Sequence, residues 1–262
     1  MQKSIHTGTD QLKAIFKNGI ITLTLNNPKS KNALSENLTP FLRKILKNIS
    51  KDSKYKLLVL RGQGDSFCSG GNIKGMEKKK VIKNNFKEKV ADLLKKQKNL
   101  TGILYSLKIP TIAAITGATA GAGFSLALAC DFRIGNQKSF FISNYSKIGL
   151  SGDYGISWFL TSLLGEAKAK EIMILNNRIY ASEALKLGLL NILFKKDFEK
   201  NLNIVCENII SQSNLALRKI KSNIQIANRK NLNELFHYEA KNLIECSESN
   251  EHKIAVQNFK KK

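Results

Sequence analysis

Thr111-Ile112-Ala113-Ala114-Ile115-Thr116-Gly117-Ala118-Thr119-Ala120-Gly121-Ala122-Gly123, running on into the apolar stretch 124–129, decides how this chain is read. Residues 111–115 read as a buried strand, apolar from Ile112 to Ile115. Three glycines then punctuate the chain, and a helix is expected to open after them. A backbone N–H can approach a ligand closely where side chains are small. At a helix start the dipole adds positive potential. An earlier segment repeats the arrangement: Ser66-Phe67-Cys68-Ser69-Gly70-Gly71-Asn72 follows the apolar run 57–60. Two N–H groups, one from each segment, converging on one oxygen would make an oxyanion hole for a carbonyl that becomes negative during reaction. Either segment alone fits an ordinary tight turn. Their order and context carry the argument.

Asp153 follows in Gly149-Leu150-Ser151-Gly152-Asp153-Tyr154-Gly155. It fits equally as the N-cap of a helix over 154–164. Around these segments, residues 19–25 alternate as a strand and end at the turn Asn26-Asn27-Pro28. Thr39-Pro40 reads as an N-cap with proline at the first helical position. The helix 41–49 follows, with Phe41, Leu42, Ile45, Leu46 and Ile49 on one face. The lysine-rich stretch 77–98 reads as a solvated amphipathic helix, its Glu77 and Glu88 facing water. Strands are expected at 132–135 and 140–143. Beyond Gly155 the pattern is mostly helical: a short helix bracketed by Ser182 and Gly188, and one or two long helices over 215–243. Trp158 is expected in the core or on a pocket wall.

Composition narrows the class. The 262 residues are 42% hydrophobic, enough for one sizeable core with a smaller appended region. No apolar run approaches the roughly 20 residues of a membrane span. The first ten residues lack the apolar stretch of a secretory signal. Four cysteines without CxxC spacing suggest free thiols in a reducing compartment, hence a cytoplasmic protein. The three histidines lie apart from other candidate ligands, so neither a metal site nor a Ser-His-Asp triad is expected. The formal charge of +23 would suit nucleic acid or a polyanionic small ligand. Only six of the 43 basic residues are Arg, the residue that makes bidentate base contacts, and a general lysine bias explains the charge as well.

The chain resembles the enoyl-CoA hydratase/isomerase (crotonase) superfamily along nearly its whole length. The resemblance is carried by Ile21-Thr22-Leu23-Thr24-Leu25-Asn26 with Lys31-Asn32-Ala33-Leu34, by 67–74, and by Ile109-Pro110 running through to Asp131. It continues in Lys147-Ile148-Gly149-Leu150 and in Tyr180-Ala181-Ser182-Glu183-Ala184-Leu185-Lys186-Leu187-Gly188-Leu189. It implies an α/β fold, the ClpP/crotonase-like spiral of β-β-α units forming two stacked sheets. Residues 1–195 would be the core with the CoA-binding and active site, and 196–262 a helical region that builds a homotrimer or a dimer of trimers. Gly71 and Ala122 would be the oxyanion-hole amides gripping an acyl-CoA thioester oxygen. Gly70, Asn72, Gly121, Ser125 and Tyr145 would line the substrate site, with the CoA adenine near Lys31, Ala33 and Ile73. CoA would arrive as part of the substrate, with no other cofactor, no metal and no membrane.

The sequence departs from the hydratase pattern, in which two glutamates flank the substrate. The matching positions are Ser125 and Tyr145, and neither can act as a carboxylate base. Asn72 stands where family members usually carry Asp. Asp153 fills the gap: residues 145–153 are similar to phenylacetate-pathway ring-enoyl-CoA isomerases, which have an aspartate here. Aryl-CoA dehalogenases also keep an aspartate here, as a nucleophile. One carboxylate suits double-bond migration, because it can take a proton from one carbon and return it to another. Burial would raise its pKa toward a useful value. The alternatives are a hydratase or thioester hydrolase with Asp153 activating water, a catalytically silent CoA-binding protein, and an RNA binder. The last would use Arg43, Lys44 and Lys47 with Lys51, Lys54 and Lys56, as one branch of the superfamily does.

Overall fold

Strands of this chain alternate between two sheets. The computed structural model describes residues 2–71, 85–227 and 229–259. Its strands are β1 (Lys3–Ile5), β2 (Leu12–Lys17), β3 (Ile20–Leu25), β4 (Leu57–Gly62), β5 (Ser66–Cys68), β6 (Thr111–Ile115), β7 (Ala118–Ala120), β8 (Phe132–Asn136), β9 (Phe140–Ile142), β10 (Ile179–Tyr180) and β11 (Ile192–Phe194). The larger sheet has the order β1-β2-β3-β4-β6-β8-β11, antiparallel up to β3 and parallel beyond it. The smaller sheet, β10-β9-β7-β5, is parallel except at β10. The pairs β4–β5, β6–β7 and β8–β9 each send one strand to either sheet, which is the expected strand-strand-helix spiral.

Burial explains why the central strands are unbroken apolar runs. Leu58 and Leu60 of β4, with Ala113 and Ile115 of β6, face the main core. Leu57 and Val59, with Ile112 and Ala114, face the other way and are covered by Leu202 and Cys206. Those two residues come from the helix Phe198–Ile210, so the 196–262 stretch begins by sealing the outer face of the large sheet. The helices Asn214–Ala227, Leu232–Ser247 and Asn250–Phe259 follow. Lys221, nearly buried, ties the first of these to the core through Asp131 at 2.7 Å and the Ile109 carbonyl at 3.0 Å. No helix among the described residues is long and apolar enough to cross a membrane.

Several helix starts differ from the sequence reading. Thr39 is the first residue of the helix Thr39–Ile49, not its cap, because its hydroxyl donates back to the Ser35 carbonyl at 2.8 Å. Ala181, not a residue after Ser182, opens the helix Ala181–Lys186, with Tyr180 at the cap. The described part of the lysine-rich stretch is the helix Phe86–Gln97, whose Asn85 and Glu88 form a reciprocal capping box. Glu88 is engaged there, on the surface. Trp158 is 49% exposed and packs edge-on to Tyr105, so it is not a core residue.

Candidate active site

The paired ends of β5 and β7 deliver the two glycine segments side by side. Gly70 adopts φ +91°, and a Cβ there would lie 2.8 Å from the Ala120 carbonyl oxygen and 3.2 Å from the Ala122 nitrogen. Only the absent side chain lets the segments approach this closely. Gly123 serves the same contact from behind: its Cβ would sit 2.3 Å from the Cys68 carbonyl oxygen, so the helix Ala122–Leu128 rests directly on β5. Ala122 is the first residue of that helix, and its N–H therefore has no intrahelical acceptor. Gly71, Gly121 and Ala122 all line one cavity of about 280 Å³.

The segment before the first helix braces this wall. Leu34 donates to the Gly70 carbonyl at 2.8 Å and bridges to Gly71, and Ser69 donates to the Lys31 carbonyl at 3.0 Å. Asn32, fully buried at φ +56°, donates to the Gln63 and Ser66 carbonyls at 3.0 and 2.8 Å and accepts from the Asn27 N–H at 2.9 Å. Lys31 is exposed and Ala33 is buried, both beside the glycine segment but off the cavity lining. Asn72, Ile73 and Glu77 lie outside the described residues.

Asp153 reaches the same cavity from the loop 144–155. It is not a helix cap. The helix there is Ile156–Leu164 with Gly155 at its cap position, and Asp153 contributes only its carbonyl, which accepts from the Ile156 N–H at 3.2 Å. Its carboxylate is turned to Tyr145 instead, whose hydroxyl donates to Oδ1 at 2.6 Å. Ser125, fully buried behind the cavity wall, donates to the Asp153 carbonyl at 3.0 Å and lies 3.5 Å from the Tyr145 oxygen. The structure thus gathers Ser125, Tyr145 and Asp153 into one cluster.

The loop is wound tightly to do this. Gly152, Tyr154 and Gly155 all have positive φ, at +111°, +52° and +84°. For a residue as bulky as Tyr154 the left-handed region costs on the order of 1–3 kcal/mol, so something must hold it. Gln97 Oε1 accepts from the Tyr154 N–H at 2.8 Å, and Arg43 Nη2 donates to its hydroxyl at 3.2 Å. At the other end Asn176 Oδ1 accepts from the Asn144 N–H and the Ser143 hydroxyl.

Electrostatics follow from burial. Desolvation raises the Asp153 pKa above the usual carboxylate value, and the Tyr145 hydrogen bond offsets part of that rise. Tyr145 is pushed well up, first by burial and then by the Asp153 charge, so it stays protonated and remains the donor. Backbone N–H groups on one wall and a carboxylate with raised basicity on another can together hold a thioester enolate and move its proton.

Among the wall residues not assigned to this site from sequence, four are ionisable: Glu36, Arg43, Lys96 and Tyr154. The sequence sets Arg43 in a basic row with Lys44 and Lys47; the structure leaves it half-buried on the cavity wall, whereas Lys44 and Lys47 are exposed. Its spacing of one helical turn from Thr39, which also lines the cavity, was the signal available.

Comparison with known proteins agrees with this geometry. Residues 15–262 match the family model described as enoyl-CoA hydratase/isomerase. The 1,2-epoxyphenylacetyl-CoA isomerase of Escherichia coli strain K12 is 31% identical over 173 residues, covering 66% of this chain and 65% of its own. The short-chain-enoyl-CoA hydratase of Clostridium acetobutylicum is 25% identical over 242 residues, covering 92% and 90%. A crystal structure of an enoyl-CoA hydratase from Bacillus anthracis superimposes with a TM-score of 0.88 at 25% identity over 96% of each chain.

Proposed function

The chain belongs to the enoyl-CoA hydratase/isomerase family, and we propose that within it the protein is an enoyl-CoA isomerase. The thioester oxygen is held by the Gly71 and Ala122 N–H groups. Asp153 takes a proton from C2 of a 3-enoyl-CoA, the dienolate forms against the paired amides, and the same carboxyl returns a proton to C4, giving the 2-enoyl-CoA. The reverse direction uses the same groups. CoA enters as part of the substrate, and the reading calls for no separate cofactor or metal.

The observation that carries the reading is the 2.6 Å bond from Tyr145 to Asp153 Oδ1. It supports a carboxylate held in position beside Tyr145 and Ser125, the residues at the positions that match the hydratase glutamates. The test is turnover of wild type and Asp153→Asn with 2- and 3-enoyl-CoAs in deuterated water, products resolved by mass spectrometry. Migration with deuterium uptake should fall by about 10²–10⁴ in the variant while acyl-CoA binding persists. Unchanged turnover in the variant would overturn the role of Asp153.

A hydratase remains the second reading because Glu36 places another carboxylate on the same cavity. A 3-hydroxyacyl-CoA as main product of the wild-type protein would establish it. The reading extends to a cytoplasmic homotrimer or dimer of trimers. The exposed Leu232, Phe236, Leu243 and Ile254 of the last helices support the assembly, and light scattering would measure it. The four free cysteines support the reducing compartment.

A further inference from the structure

Arg43 is a charged group on the cavity wall that the proton transfer does not use. It projects from the helix Thr39–Ile49, one turn beyond Thr39, and both line the cavity. A guanidinium carries five N–H donors and a permanent charge. Among the described residues, its one hydrogen bond is from Nη2 to the Tyr154 hydroxyl at 3.2 Å. Its Nε is buried and has no hydrogen-bond partner among the described residues. No ion pair joins it to a carboxylate among the described residues.

The other charges on the wall do not neutralise it. Lys96 is paired with Asp92 at 2.7 Å, Asp153 accepts from Tyr145, and among the described residues no ion pair joins Arg43 to Asp153 or Glu36. Arg43 is only partly buried and gives one of its N–H groups to Tyr154, so it has donors left to offer an acceptor bound in the cavity. The partner that matches its planar fork is a carboxylate, which accepts two parallel N–H bonds.

Gly71, Ala122, Asp153, Tyr154 and Arg43 all line the one cavity, so an acyl chain anchored at the amides shares that space with the guanidinium. We propose that the acyl group taken by this site ends in a carboxylate bound by Arg43, so that the substrate is the CoA monothioester of an unsaturated dicarboxylic acid. This rests on reading Gly71 and Ala122 as the thioester anchor.

Binding of adipoyl-CoA (its distal carboxyl free) and hexanoyl-CoA tests it, because the pair differs only in carboxylate against methyl at the far end and neither undergoes double-bond migration. Calorimetry on the full chain should give adipoyl-CoA at least about 10-fold tighter, as a charge-assisted hydrogen-bonded pair provides. Arg43→Gln should abolish that ratio, and Tyr154→Phe, which keeps the guanidinium, should preserve it. Equal or tighter binding of hexanoyl-CoA by the wild-type protein overturns the inference whether or not the variant folds. So does a ratio that survives in Arg43→Gln. Selective adipoyl-CoA binding without isomerisation of any enoyl-CoA would sustain the inference and sink the isomerase reading. Isomerisation of hexenoyl-CoA without any carboxylate preference would do the reverse.

Discussion

The two walls of the cavity are built by different means. The wall of Gly71 and Ala122 is backbone: two strand ends paired in the smaller sheet, glycines that leave room, and the first turn of a helix seated on β5. The wall of Asp153 is side chain: a loop with five positive-φ residues, fastened by Ser125, Tyr145, Gln97 and Arg43. The first follows from topology, so any chain of this fold with small residues at these places forms it. The second depends on which side chains a particular sequence supplies. On the proposed reading, holding the enolate oxygen would belong to the fold, and the fate of the proton to the loop. Relatives that include both an isomerase and a hydratase on the one architecture fit that division.

The sharpest way to break the backbone wall is Ala122→Pro. Proline is tolerated at the first helical position, where no intrahelical bond is lost, and it deletes the donor without changing a functional side chain. We expect kcat to fall about 10²–10³-fold with the helical circular dichroism signal retained. Equal activity would mean that the Ala122 N–H does not serve the oxyanion. Asn32→Ala attacks the same wall from behind. It leaves the Gln63 and Ser66 carbonyls and the Asn27 N–H without their buried partner and puts alanine at φ +56°. A loss of about 2–3 kcal/mol in denaturant unfolding is expected. A loss confined to activity would instead assign Asn32 to the site rather than to its foundation.

Much of this architecture was legible from residue order, and the reasons separate along the same line. The runs 57–60 and 111–115 announce central parallel strands because burial on both faces leaves no room for polar alternation. Of the smaller sheet, pattern showed only β9, as the strand expected at 140–143. β5 and β7 are three residues each, too short to show a period, and both lie within the glycine segments. Those segments were readable as close-approach backbone, since only glycine fits at Gly70 and Gly123. Asp153 stood out, but cap and carboxylate roles look alike in sequence; the separation came from Tyr145, eight positions away, whose hydroxyl direction no pattern records. Arg43 was missed for a similar reason. The apolar face of its helix sets which side is buried, not that Tyr154, far along the chain, would come to meet the residue beside that face.

The smallest change tests the side-chain wall by itself. Tyr145→Phe removes one hydroxyl and leaves the cavity's volume, the Ser125 bond to the Asp153 carbonyl and the amide wall in place. Asp153 must be ionised to accept the first proton. Burial already raises its pKa, and the Tyr145 hydrogen bond lowers it by favouring the charged form. Without the hydroxyl the pKa rises further, so the ionised fraction is lost at higher pH than in the wild-type protein. The acid limb of the kcat/KM profile should therefore move toward higher pH, with a loss of about 10-fold at neutral pH that is partly recovered on raising the pH. The sign is what discriminates. If Tyr145 only filled space, the profile would keep its shape and phenylalanine would serve as well. If Tyr145 itself were the acid or base, activity would be lost at every pH and no alkaline recovery would appear. An acid limb displaced upward, with the Ala122 wall untouched, is the outcome that makes Tyr145 the residue that tunes Asp153 and keeps the choice of reaction on the loop.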